Sequence, residues 1–286
     1  MWNKVLFASD GSPNALSAID ALTMRQWPQT VQFKIVSVAD ESLSGHLSAT
    51  QANEAGAATA EALKQKIPYA MIGTVTETGK AAAAIIKIAK EWQPDYIVTG
   101  AYSRHGLNKL LLGSVTDAVV KNINCSLLVG RPASATPHKR CAIVCVAETG
   151  LSKAAVDGLC ATGWSHDVQF VVANAFVTPM ADYSPNPQLD WKLFKEAEQE
   201  AVDHATSVVD TAAETIEKCL PGHAIERKEL EGLNAAEEIF ALSKTVAADL
   251  LVLGPRIHKG MDQWVEGSLT NDSLAGAHCS VEILRG

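Results

Sequence analysis

The 286-residue chain contains no apolar run near the ~18 residues that a bilayer span requires and no charged-then-apolar leader at its amino terminus, so a cytoplasmic protein without a membrane partner is expected. It has no Lys/Arg stripe or basic tail. The net charge is −8, with 12 Lys/Arg and 10 Asp/Glu in residues 1–137 against 12 and 22 in residues 138–286. Nucleic acid is therefore disfavoured as a partner, because such binding rests on neutralising phosphates. None of the six cysteines sits at metal-ligand spacing, and neither a zinc site nor a disulfide framework is expected. Also missing are a Gly-x-x-x-x-Gly-Lys-Ser/Thr phosphate loop, a Gly-x-Gly-x-x-Gly turn after the first strand, and a Gly-x-Ser-x-Gly nucleophile turn. A binding protein, at most a weak ATPase, is favoured over an enzyme proper.

What the chain does contain, it contains twice. Gly100, Gly106, Gly113-Ser114 and Thr116 recur 154 positions on as Gly254, Gly260, Gly267-Ser268 and Thr270, although nearly everything between them differs. The same offset relates Asp95 to Asp249 and Cys125-Ser126 to Cys279-Ser280. Nearer the start, Lys4–Ala8 matches Arg140–Cys145 at an offset of 137, so the second copy is longer in its middle. Two domains follow, 1–135 and 139–286, each long enough to bury a core. Arg131 to His138, with two prolines, reads as the linker.

In copy one, short apolar runs predict strands at 4–8, 32–38, 71–76, 96–99 and 126–130, and helices near 13–27, 47–67, 80–92 and 114–122. Copy two repeats the order, with strands at 141–146, 168–174, 224–229, 250–253 and 280–284 and helices near 152–162, 190–218, 234–246 and 268–276. Alternation of this kind gives an α/β fold of two tandem doubly wound domains, each a five-stranded parallel sheet with helices on both faces. In the long helix of copy two, Trp191, Phe194, Ala197, Ala201, Ala205, Val208, Ala212 and Ile216 recur at three- and four-residue steps and should face the core.

Ligands of such sheets sit beyond the carboxyl ends of the strands, where strand order reverses. In copy one this brings Ala8 to Ser12 towards the Gly100 to Ser114 loop. Gly113 and Ser114 precede a helix whose first N–H groups suit an anion, and the Asp10 carboxylate, an acceptor only, suits a ribose hydroxyl. The same glycines also read as sharp turns, and the Gly-Ser pairs as ordinary helix starts.

These residues carry a resemblance. The spacing of Gly100 and Gly113-Ser114, the turn Ser9-Asp10-Gly11-Ser12 after the first strand, and Cys125 before Leu127-Leu-Val129 resemble the universal stress proteins over essentially the whole chain. The resemblance implies a fold like that of the adenine-nucleotide alpha hydrolases and, in many members, bound ATP or AMP, with Mg2+ as a companion of ATP. Carried over, it implies that Ala8, Ser9 and Val38 line adenine and Asp10 holds ribose. Gly100, Ser103, Arg104, His105, Gly113, Ser114 and Val115 would lie around the phosphates.

Departures from the pattern separate the copies. Ser103 and Ile257 stand where the signature has a second glycine, and Ala147 stands where copy one has Asp10. A β-branched residue is strained if that backbone needs positive φ. Domain 2 is thus expected to be a degenerate partner of a nucleotide-binding domain 1; a nucleotide-free interaction scaffold is the alternative. Family members pair their last strands across a two-fold axis, which implies an internal pseudo-dimer here and leaves a homodimer open. Glu282, in one of those strands, suggests a partly solvent-facing seam. The protein partner is not readable from the sequence.

Overall fold

The computed structural model describes residues 2–40, 47–103, 110–111, 113–132, 139–147, 150–177, 191–254 and 268–285. Domain 1 runs β1 (Lys4–Ala8), α1 (Pro13–Leu22), β2 (Arg25–Gln26), β3 (Gln32–Ala39), α2 (Ala49–Lys66), β4 (Met71–Thr78), α3 (Ala81–Trp92), β5 (Tyr96–Gly100), β6 (Tyr102–Ser103), β7 (Leu110–Leu111), α4 (Ser114–Asn122) and β8 (Ser126–Gly130). Domain 2 follows as β9 (Cys141–Cys145), α5 (Gly150–Cys160), β10 (Gly163–Trp164), β11 (Gln169–Phe176), α6 (Trp191–Cys219), β12 (Ile225–Glu231), α7 (Ala235–Thr245), β13 (Leu250–Leu253), α8 (Ser268–Gly276) and β14 (Ser280–Ile283).

Ten strands form one sheet in the order β12-β11-β9-β13-β14-β8-β5-β1-β3-β4. Within each half every neighbour is parallel, and the halves meet where β14 runs antiparallel to β8, Val281 opposite Val129 and Ile283 opposite Leu127. The inner strands read as continuous apolar runs because both faces are covered. One face packs α1, α2, α5 and α6 through Ile19, Leu22, Leu63, Leu159, Val209 and Ile216. The other packs α3, α4, α7 and α8 through Ile85, Ile88, Val119, Ile239, Leu242 and Leu274. In α6 the core-facing stripe is buried at Ala205, Ala212 and Ile216; the side chains of Trp191 and Phe194 lie outside the described residues. No described helix is long and apolar enough to cross a membrane.

The duplication extends into the joints. Asp95 accepts the Asn3 and Lys4 N–H groups at 2.8 and 2.9 Å, and Asp249 accepts that of Cys141 at 2.9 Å, so each stitches the start of its domain's first strand to the strand beside it. At the seam, Ser126 Oγ accepts Arg285 N–H and donates to the Arg285 carbonyl, while Ser280 Oγ does the same with Arg131. Each arginine then crosses to the last helix of the other domain. Arg131 Nη2 donates to Leu274 O at 2.6 Å, and Arg285 donates to Val120 O at 3.0 Å and to Ile123 O. Cations there complement the carboxyl ends of α8 and α4. Burial lowers the Arg131 pKa to about 10 and pushes the nearby Cys279 thiol up to about 12.

Three expectations change. Helix α1 stops at Leu22, not near residue 27, because Arg25 and Gln26 leave it to pair antiparallel with Trp164 and Gly163 of domain 2. Glu282 is not solvent-facing: it is 0 % exposed, 2.5 Å from Arg25 Nη2, and accepts the Tyr96 hydroxyl. Arg25 also donates to Thr162 and lies between the rings of Trp164 and Trp2, at 3.9 and 4.7 Å. A carboxylate is tolerated there because a cation and a hydroxyl from the other domain meet it. Cys160 and Cys219 form a disulfide, their Cα atoms 5.5 Å apart, because α5 and α6 pack side by side and end level with one another.

Candidate functional site

Strand order reverses between β1, which leads on to β3, and β5, which leads on to β8, so the chain ends above β1 and β5 flank one crevice. The turn after β1 is fixed from three sides. Ser9 N–H continues the ladder to Val36 O at 2.9 Å, and Ser37 Oγ donates to Ser9 O at 2.8 Å. Thr59 spends its one hydroxyl proton on Ala55 O, so Ser9 Oγ donates to Thr59 Oγ1 at 2.7 Å and in turn accepts Gly11 N–H. Gly11 has φ +73°, and a β-carbon on it would lie 2.9 Å from the Ala55 side chain, so both its backbone and its neighbour in α2 require glycine.

Asp10 is exposed. Its Oδ1 accepts Ser12 N–H at 2.9 Å, an Asx turn that holds the carboxylate at the mouth of the crevice. Ser12 caps α1, accepting Ala15 N–H, and Pro13 takes the first helical position.

On the β5 side, Gly100 lets strand and helix touch. A β-carbon there would stand 2.6 Å from Ala15 N and 2.9 Å from Ala15 Cα, both backbone atoms. Asn14 Nδ2 donates to Ala101 O at 2.8 Å, and Ala101 N–H reaches Gly130 O at the end of β8. Past Ala101 the backbone forms the small antiparallel pair β6 with β7, Ser103 opposite Leu110. The Ser103 side chain, and Arg104 and His105 altogether, lie outside the described residues.

Gly113 opens α4 in extended geometry with no side-chain cap on the helix end, and Ser114 at the first position is exposed. Thr116, one turn in, lies 3.4 Å from Gly100 O, which ties this helix start to the β5 end. Ala8 and Val38 lie on neighbouring strands, Val38 two residues beyond the partner of Ala8; Val38 and Val115 are half-buried against the core under α3 and α4. The structure thus gathers Ala8, Ser9, Asp10, Val38, Gly100, Gly113, Ser114 and Val115 around one crevice. Asn14, Ser37, Thr59 and Thr116 hold its walls; Thr116 stood out as part of the repeat, whereas Asn14, Ser37 and Thr59 were not singled out in the sequence. One signal was available, since Ser37 recurs as Asn174 at the 137 offset, and Asn174 Nδ2 donates to Val146 O as Ser37 does to Ser9 O.

Domain 2 keeps this scaffold without the carboxylate. Val146 N–H bonds Ala173 O as Ser9 bonds Val36, but the next residue is Ala147, exposed where domain 1 has Asp10. Gly254 follows β13; Ile257, Gly260 and Gly267 lie outside the described residues. No group of three or more metal-ligating side chains occurs among the described residues.

Two doubly wound domains in one chain, with Asp10 after the first strand of one and Ala147 at the matching place in the other, define a tandem α/β protein. The sequence model of the universal stress protein family matches residues 1–131 and again 142–285, and the chain belongs to that family. It is similar to universal stress protein YxiE of Bacillus subtilis, 28% identical over 148 residues, 46% of this chain and the whole of that one. It is also similar to universal stress protein A homolog 2 of Coxiella burnetii, 39% identical over 57 residues, 20% of this chain and 38% of that protein's length. Among solved structures, a universal stress protein from Archaeoglobus fulgidus covers the full length of both chains with a TM-score of 0.65 at 14% identity, a likeness of fold.

Proposed function

We propose that domain 1 binds an adenine nucleotide, ATP or AMP, in the crevice above β1 and β5, and that domain 2 is its degenerate partner. The observation that carries this reading is the juxtaposition of an exposed, pre-oriented Asp10 with the helix start at Gly113, which has no side-chain cap, both tied through α1 and Thr116 to Gly100. In this reading Ala8, Ser9 and Val38 flank the base, Asp10 accepts from a ribose hydroxyl, and the first N–H groups of α4 face phosphate, with Ser103, Arg104 and His105 in the loop between. Mg2+ accompanies ATP at the phosphates. No described residue at the crevice is arranged as nucleophile and base, so occupancy, not turnover, is the output, and the protein acts as a cytoplasmic stress regulator through a partner of its own or a second copy.

A second reading, a nucleotide-free scaffold, is favoured by one observation: Asp10 Oδ1 and Ser12 Oγ are already engaged within the turn. Titration calorimetry of wild type and Asp10→Ala separates the two. Binding near one equivalent per chain, lost in Asp10→Ala, supports the nucleotide reading; no heat in either protein at millimolar ATP and Mg2+ supports the scaffold.

A further inference from the structure

The six cysteines fall into two chemical groups. Cys141, Cys145 and Cys279 are buried and Cys125 half-buried, each without a cysteine partner. Burial pushes all four thiols up, to about 11 for Cys125 and Cys141 and about 12 for Cys279. Thiols held in this way stay protonated at neutral pH and do not react. Cys160 and Cys219 differ in place and in company. They are the last residues of α5 and α6, both half-buried at the surface, and bonded across a sequence separation of 59.

Both redox states of this pair are provided for. Both residues pack against the apolar core beneath α5 and α6, where a thiol fits as well as a half-cystine. Cys219 Sγ also lies 3.5 Å from Ile216 O, the acceptor to which a free thiol there would donate. Breaking the bond therefore opens no cavity and strands no polar group. The bond is also placed where its state matters. Two residues after Cys160, Thr162 accepts from Arg25 of domain 1, and β10 follows at once to pair with β2 across the domain boundary.

We propose that Cys160 and Cys219 are a reversible thiol–disulfide site oxidised by hydroperoxides, and that its closure tightens the β10–β2 contact between the domains. One thiolate attacks the peroxide; the O–O bond breaks, an alcohol or water leaves, and a sulfenic acid remains. The second sulfur displaces water from it and forms the disulfide, so two thiols surrender two electrons and two protons to one hydroperoxide. Small thiols such as glutathione reverse the step by exchange, becoming oxidised themselves. This site is independent of the nucleotide crevice.

The test uses the full chain, reduced and freed of reductant, exposed to a few equivalents of hydrogen peroxide and then denatured for thiol counting. The count should fall from six to four, with an intact-mass loss of about 2 Da and peptide mapping to Cys160–Cys219. Glutathione should restore six. Amide exchange in residues 161–164 should be at least about tenfold slower in the oxidised protein. Cys160→Ser, or Cys219→Ser if the first does not fold, should form no disulfide under the same peroxide: the variant that keeps the attacking sulfur falls from five thiols to four with a sulfenic acid trapped there, and the other keeps five. A count that stays at six, loss of two thiols in both serine variants, a bond that glutathione does not reopen, or equal exchange in both states would each overturn the proposal.

Discussion

Glu282→Leu removes the carboxylate that faces Arg25 across the seam. The two side chains are 0 % and 3 % exposed, so the substitution leaves a guanidinium in the interior with a threonine hydroxyl and two indole rings, and the Tyr96 hydroxyl without its acceptor. Breaking a buried pair from one side costs about 3–5 kcal/mol. At about 2–4 °C per kcal/mol for a chain of this size, the midpoint should fall by roughly 6–20 °C. The triple change Glu282→Leu with Arg25→Met and Tyr96→Phe replaces charge by apolar volume and should regain most of that loss. Urea unfolding followed by tryptophan emission reads the seam directly, because Trp2 and Trp164 enclose Arg25. A single variant within 1 kcal/mol of wild type (roughly, the ceiling for an exposed pair), or a triple variant weaker than the single, would refute the argument that an uncompensated charge sets the cost.

Further outcomes follow from the same contacts. Gly130→Ala places a β-carbon 2.3 Å from Ala18 Cβ and 2.6 Å from its Cα, so chemical denaturation should show a loss of about 1–3 kcal/mol or more. Arg285→Met, which gives up bonds to both Val120 and Ile123, should cost about 2–4 kcal/mol; Arg131→Met, which gives up one and relieves two buried N–H groups without partners, should cost about 1 kcal/mol or less. Four thiols with pKa values raised above 9 contribute stability that is complete below pH 9 and is lost as pH rises through about 11–12; Arg131, lowered to about 10, acts the opposite way but only above that pH. Melting temperature should therefore begin to fall above pH 9, less steeply in Cys145→Ala.

The eight inner strands of the sheet were legible because each is a largely apolar run of four to eight residues that two faces bury, whereas the edge strands β4 and β12, with no buried residue, were legible because the chain states the pattern twice. The pairs β2 with β10 and β6 with β7 were not, since two residues carry no periodicity. Glu282 was misread because its partner Arg25 is 257 positions away, and a charge in a strand sounds like solvent until the partner is known. The Cys160–Cys219 bond depends on where α5 and α6 end, which no spacing encodes. Arg131 and Arg285, by contrast, stand at the same 154 offset as the glycines, and their crossing was open to inference from the repeat. At the crevice, glycine spacing and Asp10 stood out, whereas Asn14 and Thr59 are small polar residues whose importance comes only from what they touch.

The central claim is a nucleotide in domain 1, and the most direct test is to denature the purified protein, identify released small molecules by mass spectrometry, and titrate the stripped protein with ATP and Mg2+. Released AMP or ATP, or binding near one equivalent per chain that Asp10→Ala abolishes, is the predicted result. No nucleotide released and no heat at millimolar ATP would contradict it and leave the glycine loops as turns of a scaffold.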